Sequence, residues 1–156
     1  MQRIFISGLL IILMVAMITS CSKDENPVGP EPSDGLNALG CVILLGDQEI
    51  VRAEGNVKGE FTAQERVQSE LLSFYLVDQN GKLFQPTNEE YVLAWDVANH
   101  RIADFVQYEI DGDWNFHLKG FKAGETLVSF KIIGDEFESL NIPVTVAAGS
   151  ADGLEK

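Results

Sequence analysis

Cys21, Cys41, His100, His117 and the acidic turn Asp111-Gly112-Asp113 are the residues of this chain whose side chains could do chemistry, and each spacing can be held against what that chemistry needs. Ser20-Cys21-Ser22-Lys23 has the S-x-x-K spacing of acyl-transferring serine enzymes, but no S-D-N or K-T-G partner follows it. Asp111-Gly112-Asp113-Trp114-Asn115 starts like a calcium loop. Such a loop also needs glycine at its sixth position and glutamate at its twelfth, where this chain has Phe116 and Lys122, so an EF-hand is excluded. A looser calcium site would have to join Asp111 and Asp113 to Asp135 or Glu136. A zinc or copper site would need His100 and His117 to converge on each other or on a carboxylate. One lies in a predicted loop and the other on the outer face of a predicted strand, so both are expected to be surface residues without a partner. No G-x-S-x-G elbow, phosphate-cradling glycine loop or dinucleotide fingerprint occurs. The expectation is a protein that is not an enzyme, with no catalytic, cofactor-binding or metal residues.

Cys21 is different because of what surrounds it. Residues 4–18 form an apolar run of 15 with one charge, Arg3, ahead of it; Ile18-Thr19-Ser20 leads into the cysteine, and Ser22-Lys23-Asp24-Glu25-Asn26 follows at once. A membrane span needs about 20 apolar residues, so length and flanks favour a signal peptide. Ile18-Thr19-Ser20-Cys21 resembles the lipobox of bacterial lipoproteins. The resemblance implies cleavage before Cys21, acylation of its thiol and often of its new amino group, and attachment to a membrane. One fatty chain gives marginal binding at about 0.8 kcal/mol per buried methylene, while two or three make release negligible. Ser22 stands where retention at the inner membrane calls for aspartate in many such proteins. The resemblance therefore implies the outer membrane.

Loss of residues 1–20 would leave 136 residues, enough for one domain with a real core. Of the charged residues only Arg3 would go, so the net charge moves from −13 to −14. That balance argues against nucleic acid and against electrostatic attraction to anionic lipid. Cys41 would then be the one remaining thiol, unable to form a disulfide within the domain. It lies in Leu39-Gly40-Cys41-Val42-Ile43-Leu44-Leu45, where cysteine behaves as a small buried hydrophobe. Residues 21–35, with Pro27, Pro30 and Pro32 among polar and acidic residues, read as a stiff spacer.

From residue 36 to 147 short apolar runs alternate with turn residues, which predicts an all-β domain. Residues 39–45 suggest a strand covered on both faces. Leu72, Phe74 and Leu76 share one face at period two, as do Tyr91, Leu93, Trp95 and Val97, then Trp114, Phe116 and Leu118, then Val128, Phe130 and Ile132. Asn80-Gly81 signals a hairpin. Thr62-Ala63-Gln64-Glu65 has the form of a helix capping box, but the alternation beyond it favours a loop into the next strand. Pro143 should place the last strand at a sheet edge or start it beyond the proline. Tyr75, Tyr91, Trp95, Tyr108 and Trp114 could form an outward strip, although Trp95 and Trp114 read better as filler between sheets. Residues 148–156 are expected to be a flexible tail.

Ile102-Ala103, then Gly120-Phe121-Lys122-Ala123-Gly124-Glu125-Thr126, then Val144-Thr145-Val146 resemble the "IA", "G-x-x-A-G-x-T" and "V-x-V" pattern of bacterial Ig-like domains of the second group. The resemblance covers about half of the chain beyond Cys21. It implies an antiparallel Ig-like β-sandwich of about seven to nine strands and leaves function open, because such modules serve many roles. The expected protein is a noncatalytic, lipid-anchored envelope lipoprotein that binds a protein or glycan or supports a larger assembly. The alternative is a cation-binding accessory lipoprotein of the periplasm, taking calcium or a transition metal.

Overall fold

The computed structural model describes residues 35–149; the expectations for residues 1–20, for Cys21, for the spacer up to residue 34 and for residues 150–156 lie outside them. Eleven strands follow in order: β1 (Gly40–Leu45), β2 (Gln48–Glu54), β3 (Asn56–Gly59), β4 (Phe61–Gln64), β5 (Leu72–Val77), β6 (Leu83–Phe84), β7 (Val92–Val97), β8 (Ala103–Val106), β9 (Asn115–Gly120), β10 (Gly124–Ile133) and β11 (Ile142–Ala147). The count passes nine because four of them have four residues or fewer. A single 3-10 turn, Glu109–Asp111, interrupts them.

The strands make an all-β, Ig-like sandwich. One sheet runs β3-β2-β1-β5-β9-β8 with β6 attached to β5, and the other runs β4-β11-β10-β7. All pairings between named strands are antiparallel except β4 with β11, which is parallel. The period-two positions set the packing. Leu72, Phe74 and Leu76 from β5, Phe116 and Leu118 from β9, and Val128, Phe130 and Ile132 from β10 all turn into the space between the sheets and are buried. Five phenylalanines occupy its centre: Phe130 meets the rings of Phe61, Phe74, Phe105 and Phe116 at centroid distances of 5.2 to 6.1 Å. Edge-to-face and tilted arrangements of this kind add to the burial of the rings themselves.

β1 is covered on both faces, as its unbroken apolar run predicts. Cys41 and Ile43 face the core, while Val42 lies on the outer face between Arg52 of β2 and Tyr75 of β5 and is equally buried. Arg52 is pinned there by Glu49, through Nε and one terminal nitrogen at 3.0 and 2.8 Å, and by Glu54 at 3.2 Å. The hydrogen bond from Arg52 holds the Glu49 carboxyl below the usual carboxylate range.

Two local expectations change. The capping-box segment, expected as a loop, is for the most part a strand, because residues 61–64 are taken into β4 and their ladder runs to β11. Beyond it Arg66 adopts φ +64°, and the chain crosses from one sheet to the other. There Arg66 N–H donates to the Gly120 carbonyl, Gly120 N–H to that of Val67, and Ser69 N–H to that of Leu118. Asn80-Gly81 turns the chain back as expected, in the five-residue loop 78–82 that leads into β6. Val77 pairs with Leu83, and the Asp78 carboxylate accepts from the amides of Asn80 and Lys82.

Pro143 lies inside β11, which sits between β4 and β10 rather than at an edge. The Leu127 carbonyl accepts from Ala98 on the far side of β10, so Leu127 and Pro143 face each other at a position without ladder bonds. On its other side β11 meets β4 only from Val144 onward. The missing N–H of the proline therefore falls where no acceptor waits.

Candidate functional site

The residues with chemical potential fall at four separate places, and the fold explains each. Cys41 is buried at the inner face of β1, and burial pushes its thiol up to about 12 against a contribution from the Ser139 hydroxyl, which lowers it. A protonated, enclosed thiol is neither a nucleophile nor a metal ligand. In a Cys21→Ala chain, whose single thiol is Cys41, we expect the native protein to react with a disulfide reagent at pH 8 roughly 1,000-fold more slowly than the same chain in guanidinium, from thiolate fraction alone. The sign of the pH effect follows. Unfolded, the thiol releases its proton near its ordinary value of 9.0; folded, it holds it to about 12, so the stability is complete below pH 9 and is lost as pH rises toward 12.

His100 sits on the turn after β7. Its Nδ1 lies 3.1 Å from Asp104 Oδ2, with the two side chains 60% and 34% exposed. The other oxygen, Asp104 Oδ1, accepts from the Phe105 amide on β8, the outermost strand of its sheet. A carboxylate placed there occupies a backbone donor that an added strand would otherwise use.

His117 lies on the outer face of β9, as its position in the alternation predicts, but it is not without a partner. Nδ1 is 3.0 Å from the Ser69 carbonyl oxygen and Nε2 is 3.3 Å from Asp111 Oδ2, and each of the two side chains is only 15% exposed. This corrects the expectation for both histidines. The signal was the acidic turn itself. Asp111 comes back over β9 because the Asn115 side chain donates to its carbonyl at 2.6 Å, and Gln107 Nε2 donates to the carbonyls of Gly112 and Asp113. Amides at both ends of a turn are not visible as a spacing motif.

Asp135 is taken up elsewhere. Its two oxygens accept from the amides of Leu36 and Phe137, and with Glu136 it lines an open concavity of about 760 Å³ beside residues 35–38. Among the described residues no three His, Cys, Asp or Glu side chains gather as a metal cluster, and Asp111, Asp113, Asp135 and Glu136 do not come together.

The aromatics divide by face. Trp114 stacks on Phe74 at 6.2 Å and donates from Nε1 to the Pro86 carbonyl; Trp95 packs against Phe105 and Phe116. Tyr91 also packs against the core, which leaves Tyr75 half-buried and Tyr108 exposed on the outer side, short of a strip. A smaller concavity of about 270 Å³ between Tyr91, Gln107 and Trp114 has its amide and indole donors already engaged by neighbouring backbone.

The motif residues have structural work. Gly120 is where the segment after β4 crosses β9: a Cβ there would stand 2.4 Å from the Gln64 carbonyl oxygen. Gly124 adopts φ +152° against Ile102. Thr126 Oγ1 accepts from the Asn99 amide at 3.0 Å, and the Ile102 carbonyl accepts from Phe121 and Lys122. Together they hold one corner of the sandwich.

No family model matches this sequence, and no curated protein matches it. Solved structures similar to the chain include three of the S-layer protein SbsC. Domains 4 and 5 share 14% identity over 69% of this chain and 54% of that one, with a TM-score of 0.44. Domains 4–9 share 18% over 60% of this chain and 14% of that one, at 0.45, and domains 5–6 share 18% over 58% and 41%, at 0.43. The chain thus spans about half, or less, of the length of each.

Proposed function

We propose that this protein is a lipid-anchored, noncatalytic module of the bacterial cell envelope, held at the outer membrane through Cys21 and meeting an envelope protein or glycan by surface contact. The observation that carries the reading is the sequence Ile18-Thr19-Ser20-Cys21 at the switch from an apolar run to a polar, proline-spaced stretch. The β body supports it in a simple way. Its one cysteine is buried and protonated, its histidines are paired with carboxylates, and its aromatics mostly fill the core, so the polar groups named here serve the fold rather than a reaction. A second reading, a cation-binding accessory lipoprotein, draws on the contact between His117 and Asp111.

Metabolic labelling with palmitate, followed by membrane fractionation, tests the proposal. The wild-type chain should carry label and sediment with membranes, the Cys41→Ala chain should do the same, and Cys21→Ala should lose label entirely and move to the soluble fraction. An unlabelled wild type, or a labelled Cys21→Ala chain, would reject the anchor.

A further inference from the structure

We propose that His117 and Asp111 form a proton-operated latch, which fastens the 3-10 turn to β9 in acid and loosens it as pH rises. A count of donors and acceptors leads there. The Ser69 carbonyl oxygen, 3.0 Å from Nδ1, can only accept, so Nδ1 carries a proton whether the ring is neutral or charged. In the neutral ring Nε2 is then a bare lone pair, and it faces Asp111 Oδ2 at 3.3 Å. That oxygen is buried and accepts no hydrogen bond among the described residues. A buried carboxylate oxygen without a donor is costly, and an opposing lone pair adds to the cost. A second proton on the ring, taken from water, removes both. His117 then donates from each nitrogen, to a carbonyl on the segment after β4 and to a carboxylate on the turn.

The turn depends on such contacts because apolar packing does not hold it down. None of its three residues is buried, and Ile110 at its apex is 93% exposed. What ties it to β9 is the Asn115 side chain, on the Asp111 carbonyl, and His117. The charged and titratable groups around the ring come from each neighbouring element. Asp111 and Glu109 on the turn bring negative charge, while Lys119 on β9 brings positive charge, its ammonium 5.8 Å from the Tyr108 ring centroid. Tyr108, 5.6 Å from the His117 ring, donates its hydroxyl to Gln68; Glu70 adjoins Ser69; and Val106, opposite His117 on β8, brings no charge. Histidine changes charge between about pH 5 and pH 8. The contribution of the latch is whole on the acid side of that change and is lost as the proton leaves with rising pH. Cys41 does not interfere, since its own contribution is complete below pH 9. The inference stands apart from the lipid anchor and survives or fails without it.

The test uses the full-length chain in detergent carrying His100→Gln, which leaves His117 as its one histidine. Nitrogen NMR of the ring should show protons on both nitrogens in acid, and on Nδ1 alone once the ring is neutral. Between about pH 5 and pH 8 the folding constant from urea titration should fall at least about tenfold more than it does after His117→Gln is added. Asp111→Asn, whose side-chain amide can donate to the bare Nε2, should abolish that extra fall. An aspartate that mattered only to folding would lower stability alike at both ends and keep it. The ring spectrum decides even where a variant does not fold. A neutral ring protonated on Nε2, a pH dependence unchanged by His117→Gln, or an Asp111→Asn chain that keeps the fall would overturn the latch.

Discussion

Phe130→Ala should lower the melting temperature of the β domain by about 10–20 °C, the largest effect expected of any single substitution in it. Phe130 is fully buried in the middle of β10 and touches four other phenylalanine rings drawn from both sheets. Truncation removes the ring and leaves a void whose walls are themselves rigid rings on paired strands, so collapse is poor. Phenylalanine-to-alanine changes in such surroundings cost about 3–5 kcal/mol. That is a large part of the 5–15 kcal/mol available to a domain, and at this size each kilocalorie moves the midpoint by several degrees. Thermal denaturation followed by circular dichroism measures it. A shift of only a few degrees would mean that the two sheets do not share one core around Phe130.

Gly120→Ala should destabilise the fold by roughly 1–3 kcal/mol, the range that overpacking costs. Glycine is required there by a close approach of two backbones, not by a positive φ. An added Cβ would stand 2.4 Å from the Gln64 carbonyl oxygen, 3.1 Å from its carbon and 2.9 Å from the Val146 side chain. Backbone atoms cannot step aside as a flexible side chain would, and the segment after Gln64 is tied to Gly120 from both directions by the amides of Arg66 and Gly120. Ala123→Gly, one turn further on and outside this crossing, should cost far less. Denaturant titration of the two variants side by side would show the contrast. Equal midpoints would contradict the crossing.

Much of the architecture was legible because it is local. A strand with one wet face writes its register into alternate residues, which is why Phe74, Phe116, Phe130 and their neighbours could be assigned to the core from type and spacing. The double burial of β1 was equally readable from its unbroken apolar run. What stayed hidden depends on partners far along the chain. The capping-box stretch 62–65 has a helical spelling, and only the parallel ladder to β11, more than eighty residues away, makes residues 62–64 part of a strand. Pro143 is tolerated inside a sheet because of where the β4 ladder begins, which no property of the residues around the proline reveals. Likewise the face of His117 was correct while its partner was missed, since Asp111 reaches it through a 3-10 turn held by the side-chain amides of Gln107 and Asn115. The resemblance residues Gly120, Gly124 and Thr126 gained physical meaning only when the strands they join were seen to cross.

The proposed attachment and the β body are independent pieces of physics, and the first carries the biological reading. Its most direct measurement is the mass of the amino-terminal peptide of the chain purified from membranes. The account predicts a peptide beginning at Cys21 and heavier than its sequence by a diacylglyceryl group, with or without a further acyl chain on the amine. A peptide starting at any other residue, or a Cys21 peptide of unmodified mass, would contradict it.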